Sequence, residues 1–338
     1  MTRLVLHAGA EFADAGAVHK DLVSRRAELL DAGVVLPPED DAVRWCDTAK
    51  GLLKREPSAM RLLAQASDQG AEVVLVSCDT MGDALVSPGQ TARLASLATD
   101  EGLAVRVVVV VREQIGYINS LYCHRVRGLD TARSFAEFAE TSVPAHRFDY
   151  VASFGALADT PGLELVAVPY PDLRDKGAGL AIVEAAGLSG PVPSGSAATI
   201  DPDPGPVLIG ATRLLHKRLR RLNVFHELGK PRLRPLADQL AARATESGWD
   251  STSFWGWDAR LRRSIKEEYG PSNDVFAEFV WGGPWPEPWS TGRPHRVELA
   301  DLEPNVLLDV FSTVETLLDS VVPQPAAKRA RRQGNRHR

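Results

Sequence analysis

The sequence predicts an α/β protein, a parallel sheet of four to five strands flanked by helices, with a helical C-terminal half. Three observations carry this. Up to about residue 190, short β-branched runs alternate with helix-length segments. The strand runs are continuously apolar, as in Val105-Arg-Val-Val-Val-Val-Val111, which marks strands buried on both faces of a parallel sheet. Beyond residue 206 the pattern is helical wherever it is regular.

The elements follow in order. Residues 3–8 (Arg-Leu-Val-Leu-His-Ala) read as a short buried strand. A helix over 15–32 carries Val18, Leu22, Leu29 and Leu30 near helical spacing and is closed by Gly33. Two more helices cover 40–53, capped by Asp40 or Asp41, and 58–69, capped by Ser58. The run 72–77 is too short for a helix and is a strand. A helix over 91–101 leads to the strand 105–111, followed by a helix over 113–127. A fourth strand lies at 164–168, and a helix over 178–186 stops at Gly187. Residues 189–206 form a Pro/Gly/Ser loop. Helices follow at 207–227, 233–247, 256–269 and 302–322. Between the last two, Trp281-Gly-Gly-Pro-Trp285-Pro-Glu-Pro-Trp289 excludes regular structure. The chain is thus expected to hold one domain over 1–322 and a basic, disordered tail over 323–338.

Composition narrows the function. A hydrophobic fraction of 44% with 25% charged residues is that of a folded globular protein. No apolar run is long enough to span a bilayer, and no signal peptide is legible at the N-terminus. Three widely spaced cysteines, Cys46, Cys78 and Cys123, without a C-x-x-C, argue against disulfides and structural zinc and for a cytoplasmic protein. The last eleven residues hold six of the 39 Lys+Arg and no acid, which leaves 33 cations against 44 acids in the body. Such a body is not expected to bind nucleic acid except through the tail.

In a parallel sheet the ligand sits outside the carboxyl ends of the strands. That places His7–Gly16, Ser77–Gly82 and Arg112–Ser120 around one site. Asp79, at the end of the second long strand, is the best candidate for a general base, with a turn cap as its structural alternative. His7 and His124 are weaker candidates. Arg112 leaves its strand where a guanidinium can fork onto phosphate oxygens, or else pair with Glu113. The tryptophan-rich loop is either a platform for a flat acceptor or a set of pins for a long connection. The helix Leu214–Leu222 has a basic face.

Several of these segments together resemble the bacterial P-loop sulfotransferases. His7-Ala8-Gly9 with a following loop, Ser24 to Pro37, Val74-Leu-Val-Ser-Cys-Asp79, Val111 to Tyr122 and Tyr269-Gly-Pro-Ser272-Asn273 stand in the order found there. The resemblance implies a P-loop NTPase-like fold and a donor, 3′-phosphoadenosine 5′-phosphosulfate (PAPS). It implies that Arg112, with Ser120 eight residues on, holds the 3′-phosphate. It also implies that Asp79 matches the family's acidic residue, and that Gly9 and Gly16 bound the phosphate loop. The acceptor would be a hydroxyl of a carbohydrate or small molecule.

The loop itself departs from the family pattern, His-x-Gly-x-x-Lys-Thr-Gly-Thr-Thr. Here it reads His7-Ala-Gly-Ala-Glu11-Phe12-Ala-Asp14-Ala-Gly16. Phe12 stands in place of the lysine, and Glu11 and Asp14 add negative charge. His19 and Lys20, in the first turns of the following helix, are the candidates to supply a replacement positive charge. Two functions therefore compete: sulfuryl transfer, or a degenerate relative that keeps the fold to bind a partner or ligand and needs no cofactor.

Overall fold

The structure, a computed structural model, describes residues 2–9, 15–78, 80–141, 148–188 and 203–322. Its strands are β1 (Arg3–Ala8), β2 (Val34–Val35), β3 (Val73–Cys78), β4 (Ala104–Val111) and β5 (Leu163–Pro169). The helices of the first half are α1 (Ala15–Ser24), α2 (Arg26–Asp31), α3 (Ala42–Lys54), α4 (Pro57–Asp68), α5 (Met81–Leu85), α6 (Pro88–Asp100), α7 (Gln114–Arg127), α8 (Phe135–Thr141), α9 (Tyr150–Ala158), α10 (Tyr170–Lys176) and α11 (Ala178–Ala186). Then follow α12 (Pro206–Arg221), α13 (Phe225–Glu246), α14 (Ala259–Trp281) and α15 (Pro304–Val321).

The five strands form one parallel sheet in the order β2-β3-β1-β4-β5. The expected α/β architecture with a helical C-terminal half is therefore present. His7 pairs with Ser77 on one side and Val108 on the other. The chain leaves β1 toward β2 and leaves β4 toward β5, in opposite directions along the sheet. The topological switch point thus lies at the carboxyl ends of β1 and β4.

Side-chain alternation splits the core in two. Leu4, Leu6, Val74, Val76, Val107 and Val109 pack on one face under helices that include α3, α6 and α9. Val5, Leu75, Val108 and Val110 pack on the other, with Leu22 of α1 and Ile182 of α11.

Contacts gather the chain into two compact units. The first comprises Met1–Ile118, Val143–Asp201 and Ala259–Thr291, and holds the sheet. The second comprises Asn119–Ser142, Pro202–Asp258 and Gly292–Arg338. Its core is helical, with Leu215 and Leu219 of α12, Leu236 and Leu240 of α13, and Val310 and Val314 of α15 all buried.

Several boundaries differ from those expected. The helix expected over 15–32 breaks at Arg25, whose guanidinium turns back to Asp21 (2.9 Å). The other oxygen of Asp21 accepts the N–H of Gly179 at 2.8 Å, in the first turn of α11. Helix α4 starts at Pro57 rather than being capped by Ser58, because proline is preorganised for the first helical position. Asp41, not Asp40, caps α3 through the N–H of Val43 (2.7 Å). Helix α14 runs through Pro271, held by the buried face of Tyr269, Asn273, Phe276 and Ala277.

Candidate functional site

The carboxyl edge of the sheet brings His7, Ser77 and Arg112 to one face, because each is an even number of residues from Val5, Leu75 or Val110. His7 is fully buried, and its Nδ1 lies 2.8 Å from Ser77 Oγ. Among the described residues its Nε2 has no hydrogen-bond partner. Burial lowers its pKa to about 4, so the ring is neutral at physiological pH. The N–H of Gly9 donates to Cys78 O (3.0 Å). A Cβ on Gly82 would fall 2.8 Å from Gly9 O, so only glycine lets α5 come this close to the end of β1.

The other expected donor-site residues are placed as follows. Gly16 is exposed in the first turn of α1. His19 is buried: its Nε2 lies 3.1 Å from Asp40 O, and its ring stands edge-on to Trp45 at 4.6 Å. Lys20 is exposed. Asp79 and residues 10–14, with Glu11, Phe12 and Asp14, lie outside the described residues.

Arg112 follows β4 directly, and its guanidinium lies over the Tyr170 ring at 4.2 Å. Tyr150 clamps its backbone: the hydroxyl donates to Arg112 O (2.6 Å) and accepts the Arg112 N–H (3.1 Å). Glu113, fully buried, folds over the start of α7. Its carboxylate accepts from the N–H groups of Ile115 (2.9 Å) and Gly116 (2.6 Å) and from the Ser290 hydroxyl (2.5 Å). Gly116 is required here, since a Cβ would lie 2.5 Å from Glu113 Oε1 and 2.7 Å from Arg112 Nε.

A second carboxyl group completes this corner. Glu287 Oε2 accepts the N–H of Glu113 at 3.0 Å. The tryptophan-rich segment carries it there. The Trp281 indole N–H donates to Ala167 O (3.0 Å), and Trp285 stacks on Tyr150, with ring centroids 5.7 Å apart. These two tryptophans are pins onto the first unit. Desolvation raises the Glu287 pKa to about 7 and the Glu113 charge adds to it, against the lowering effects of the hydrogen bond, Arg112 and Arg174. Desolvation also raises Glu113, against its hydrogen bonds from Ser290, Gly116 and Ile115 and the charge of Arg112. The corner can therefore hold or release one proton near neutral pH.

Behind it, Gln114 and Asn273 form a reciprocal buried pair. Gln114 Nε2 donates to Asn273 Oδ1 (2.7 Å), and Asn273 Nδ2 donates to Gln114 Oε1 (2.8 Å). Gln114 also donates to Phe148 O (2.8 Å). Ser272 donates to Asp149, which caps α9. The expected Ser272-Asn273 element thus anchors α14.

Ser120 belongs to the second unit, where its hydroxyl donates to Asp203 Oδ2 at 2.9 Å. Beside it, Asn119 accepts the N–H of Gly256 and donates to Phe254 O, each at 3.0 Å. His124 is exposed on the last turns of α7. Sequence reasoning missed Glu287 and Tyr150. The only signal for Glu287 is that it is the sole acid inside the tryptophan-proline segment. Among the described residues, no cluster of His, Cys, Asp and Glu is placed to hold a metal ion, and no helix is long and apolar enough to cross a membrane. No family model, curated protein or solved structure matches the chain.

Proposed function

We propose that the chain is a relative of the P-loop sulfotransferases that no longer binds the phosphosulfate donor and keeps the fold to bind a partner. The observation that carries this reading is the Glu287 carboxyl on the N–H of Glu113, beside Arg112. A helix N-terminus next to an arginine is where a phosphate would dock. In this chain two of its own acids stand there. An incoming phosphate must displace Glu287 and settle near the buried Glu113. Each carboxylate about 4 Å away opposes it by roughly 4 kcal/mol at an effective dielectric near 20. The remaining features point the same way: Phe12 stands where the family has lysine, and the Ser120 hydroxyl is engaged by Asp203.

The competing reading is sulfuryl transfer from PAPS to a carbohydrate or small-molecule hydroxyl, with Asp79 as base. It requires Glu287 to swing away when the donor arrives. Calorimetric titration with 3′-phosphoadenosine 5′-phosphate separates the two. The degenerate reading expects no binding heat up to millimolar ligand. Micromolar binding by the unaltered protein would restore transfer as the function.

A further inference from the structure

Within the second unit, positive charge is concentrated at one end. Between Arg213 and Arg234 the sequence holds eight Lys/Arg and a single acid, Glu227. Helices α12 and α13 fold back on each other there, burying Leu215, Leu219, Leu233 and Leu236. The apolar sides face inward, so the cations face out. The C-terminal end of α7 joins them: Lys230 pairs with Asp130 (3.3 Å), which also meets Arg125 (3.6 Å). Partial desolvation lowers the His124 pKa, and the charges of Arg125, Arg127 and Arg234 lower it further, against the raising charge of Asp130.

Helix stability does not account for this arrangement. Arg218, Arg220 and Arg221 close α12, where the helix dipole favours cations. However, α13 is interrupted at Gly229 (φ 65°, ψ 166°), so Lys230 and Arg232 stand in the first turn of the helical stretch beyond it, with Arg234 at the start of the second. The dipole opposes cations in that position; Asp130 offsets this for Lys230, but Arg232 has no ion pair among the described residues, and a local rule broken without compensation points to function. Among the described residues Arg127, Lys217, Arg221, Arg232 and Arg234 are exposed and make no ion pair. Arg220, also exposed, lies over the Phe225 ring at 5.7 Å. Helix α15 runs alongside α12 in the same direction: Leu299, just before it, packs on Gly210, and Glu315 pairs with Arg218 (3.6 Å). Its last turn therefore reaches the same end, from which the sequence continues into six more Lys/Arg and no acid.

We propose that this basic end of the second unit binds the phosphodiester backbone of nucleic acid without reading its sequence. It goes beyond the function proposed above by naming a partner class. Arginines predominate among the exposed cations, and their forked donors suit phosphate oxygens. An anionic membrane fits less well. A surface helix needs an apolar face to sink into the headgroup boundary, whereas here those faces are buried and Leu222 is the exposed large apolar side chain of the hairpin.

The test is fluorescence anisotropy of the full chain with a labelled duplex of about 20 base pairs. For four to six phosphate contacts, counterion release gives a log–log salt slope of about −4 to −5, so affinity should fall by a factor on the order of 10² or more between about 50 and about 200 mM salt. The variant Lys217→Glu/Arg221→Glu/Arg232→Glu/Arg234→Glu should bind at least about 30-fold more weakly with a shallower slope. Its circular dichroism melt should match the wild type, since all four side chains are exposed. A chain ending at Val322 should keep most of the binding. Three results would overturn the proposal: no duplex binding at low salt, binding that disappears with the tail but survives in the four-site variant, or binding to phosphatidylserine vesicles in place of the duplex. None of them bears on the nucleotide titration, so the two readings fail separately.

Discussion

Glu287 and Glu113 meet at the first turn of α7: Oε2 of Glu287 accepts the backbone N–H of Glu113 at 3.0 Å, although 174 residues separate the two in sequence. The Glu113 carboxylate turns inward to the N–H groups of Ile115 and Gly116 in the same turn. The N–H groups of Glu113, Ile115 and Gly116 are thereby satisfied from within the chain, and the pairing has measurable consequences.

The Glu287 carboxyl is raised from its usual 4.5 to about 7. Between those values the folded protein holds more protons than the unfolded chain. Its contribution to stability is fully present below 4.5 and is lost as pH rises through 7. Because Glu287 is only half-buried, the loss from pH 5.5 to 8 is about 1 kcal/mol after allowing for solvent screening. Urea unfolding of wild type and Glu287→Gln should show the stability difference between them shrinking by that amount over this range. A difference independent of pH would refute the assignment.

His7 should behave in the opposite sense. Burial depresses its pKa to about 4. The stability it contributes is present above about 6.5 and is lost as pH falls toward 4, because only the unfolded chain takes up the proton readily. Its ring resonances should stay unshifted between about pH 5.5 and 7.5, and His7→Gln should flatten the acid limb of the melting profile. A ring that titrates near the ordinary histidine value would show that His7 is open to solvent.

On the proposed reading, giving residues 12 and 14 the sulfotransferase pattern should not by itself create a donor site. In Phe12→Lys/Asp14→Gly the Glu287 carboxyl still occupies the start of α7, so product binding should remain undetectable by calorimetry. Adding Glu287→Ala should make it measurable, and Arg112→Ala should then remove it again. Losing one charge-assisted contact costs about 1.5–3 kcal/mol, roughly ten- to hundredfold in affinity. Binding by the loop variant without the Glu287 change would mean that this carboxyl is no barrier.

The Gln114–Asn273 pair offers a test of the scaffold. Asn273→Ala leaves both polar ends of a buried amide short of a partner and should cost about 2–3 kcal/mol in urea unfolding. Replacing both residues by leucine should cost less than the sum of the single changes, because neither amide is then left orphaned and only Phe148 O loses its side-chain donor. Additive losses would show that the two amides do not depend on each other.

The sheet was legible because its strands are runs of β-branched residues bounded by helix patterns. Val105 to Val111 and Glu72 to Ser77 fall within one or two residues of β4 and β3. The two-residue strand β2 and the short helices α5, α8, α9 and α10 went unread, since so few residues carry no measurable period. In the site, Arg112 could be picked out because it ends a strand. The tryptophan segment could be read only as irregular; its two functional readings stayed open until Trp281 and Trp285 were seen to pack against the first unit.

By itself the sequence determined the fold class, the edge of the sheet where His7, Ser77 and Arg112 gather, and the presence of Phe12, Glu11 and Asp14 in the segment that follows the first strand. These depend on short-range features: strand periodicity, turn residues and the identity of single positions. The tertiary structure alone decided the sheet order, the separate core of the second unit, the partners of Ser120 and His19, and the Glu287 carboxyl at the head of α7. Each of these is a contact between residues far apart in the chain. Such contacts are set by which buried donors and apolar faces remain to be satisfied once the elements pack, and no local pattern encodes that choice.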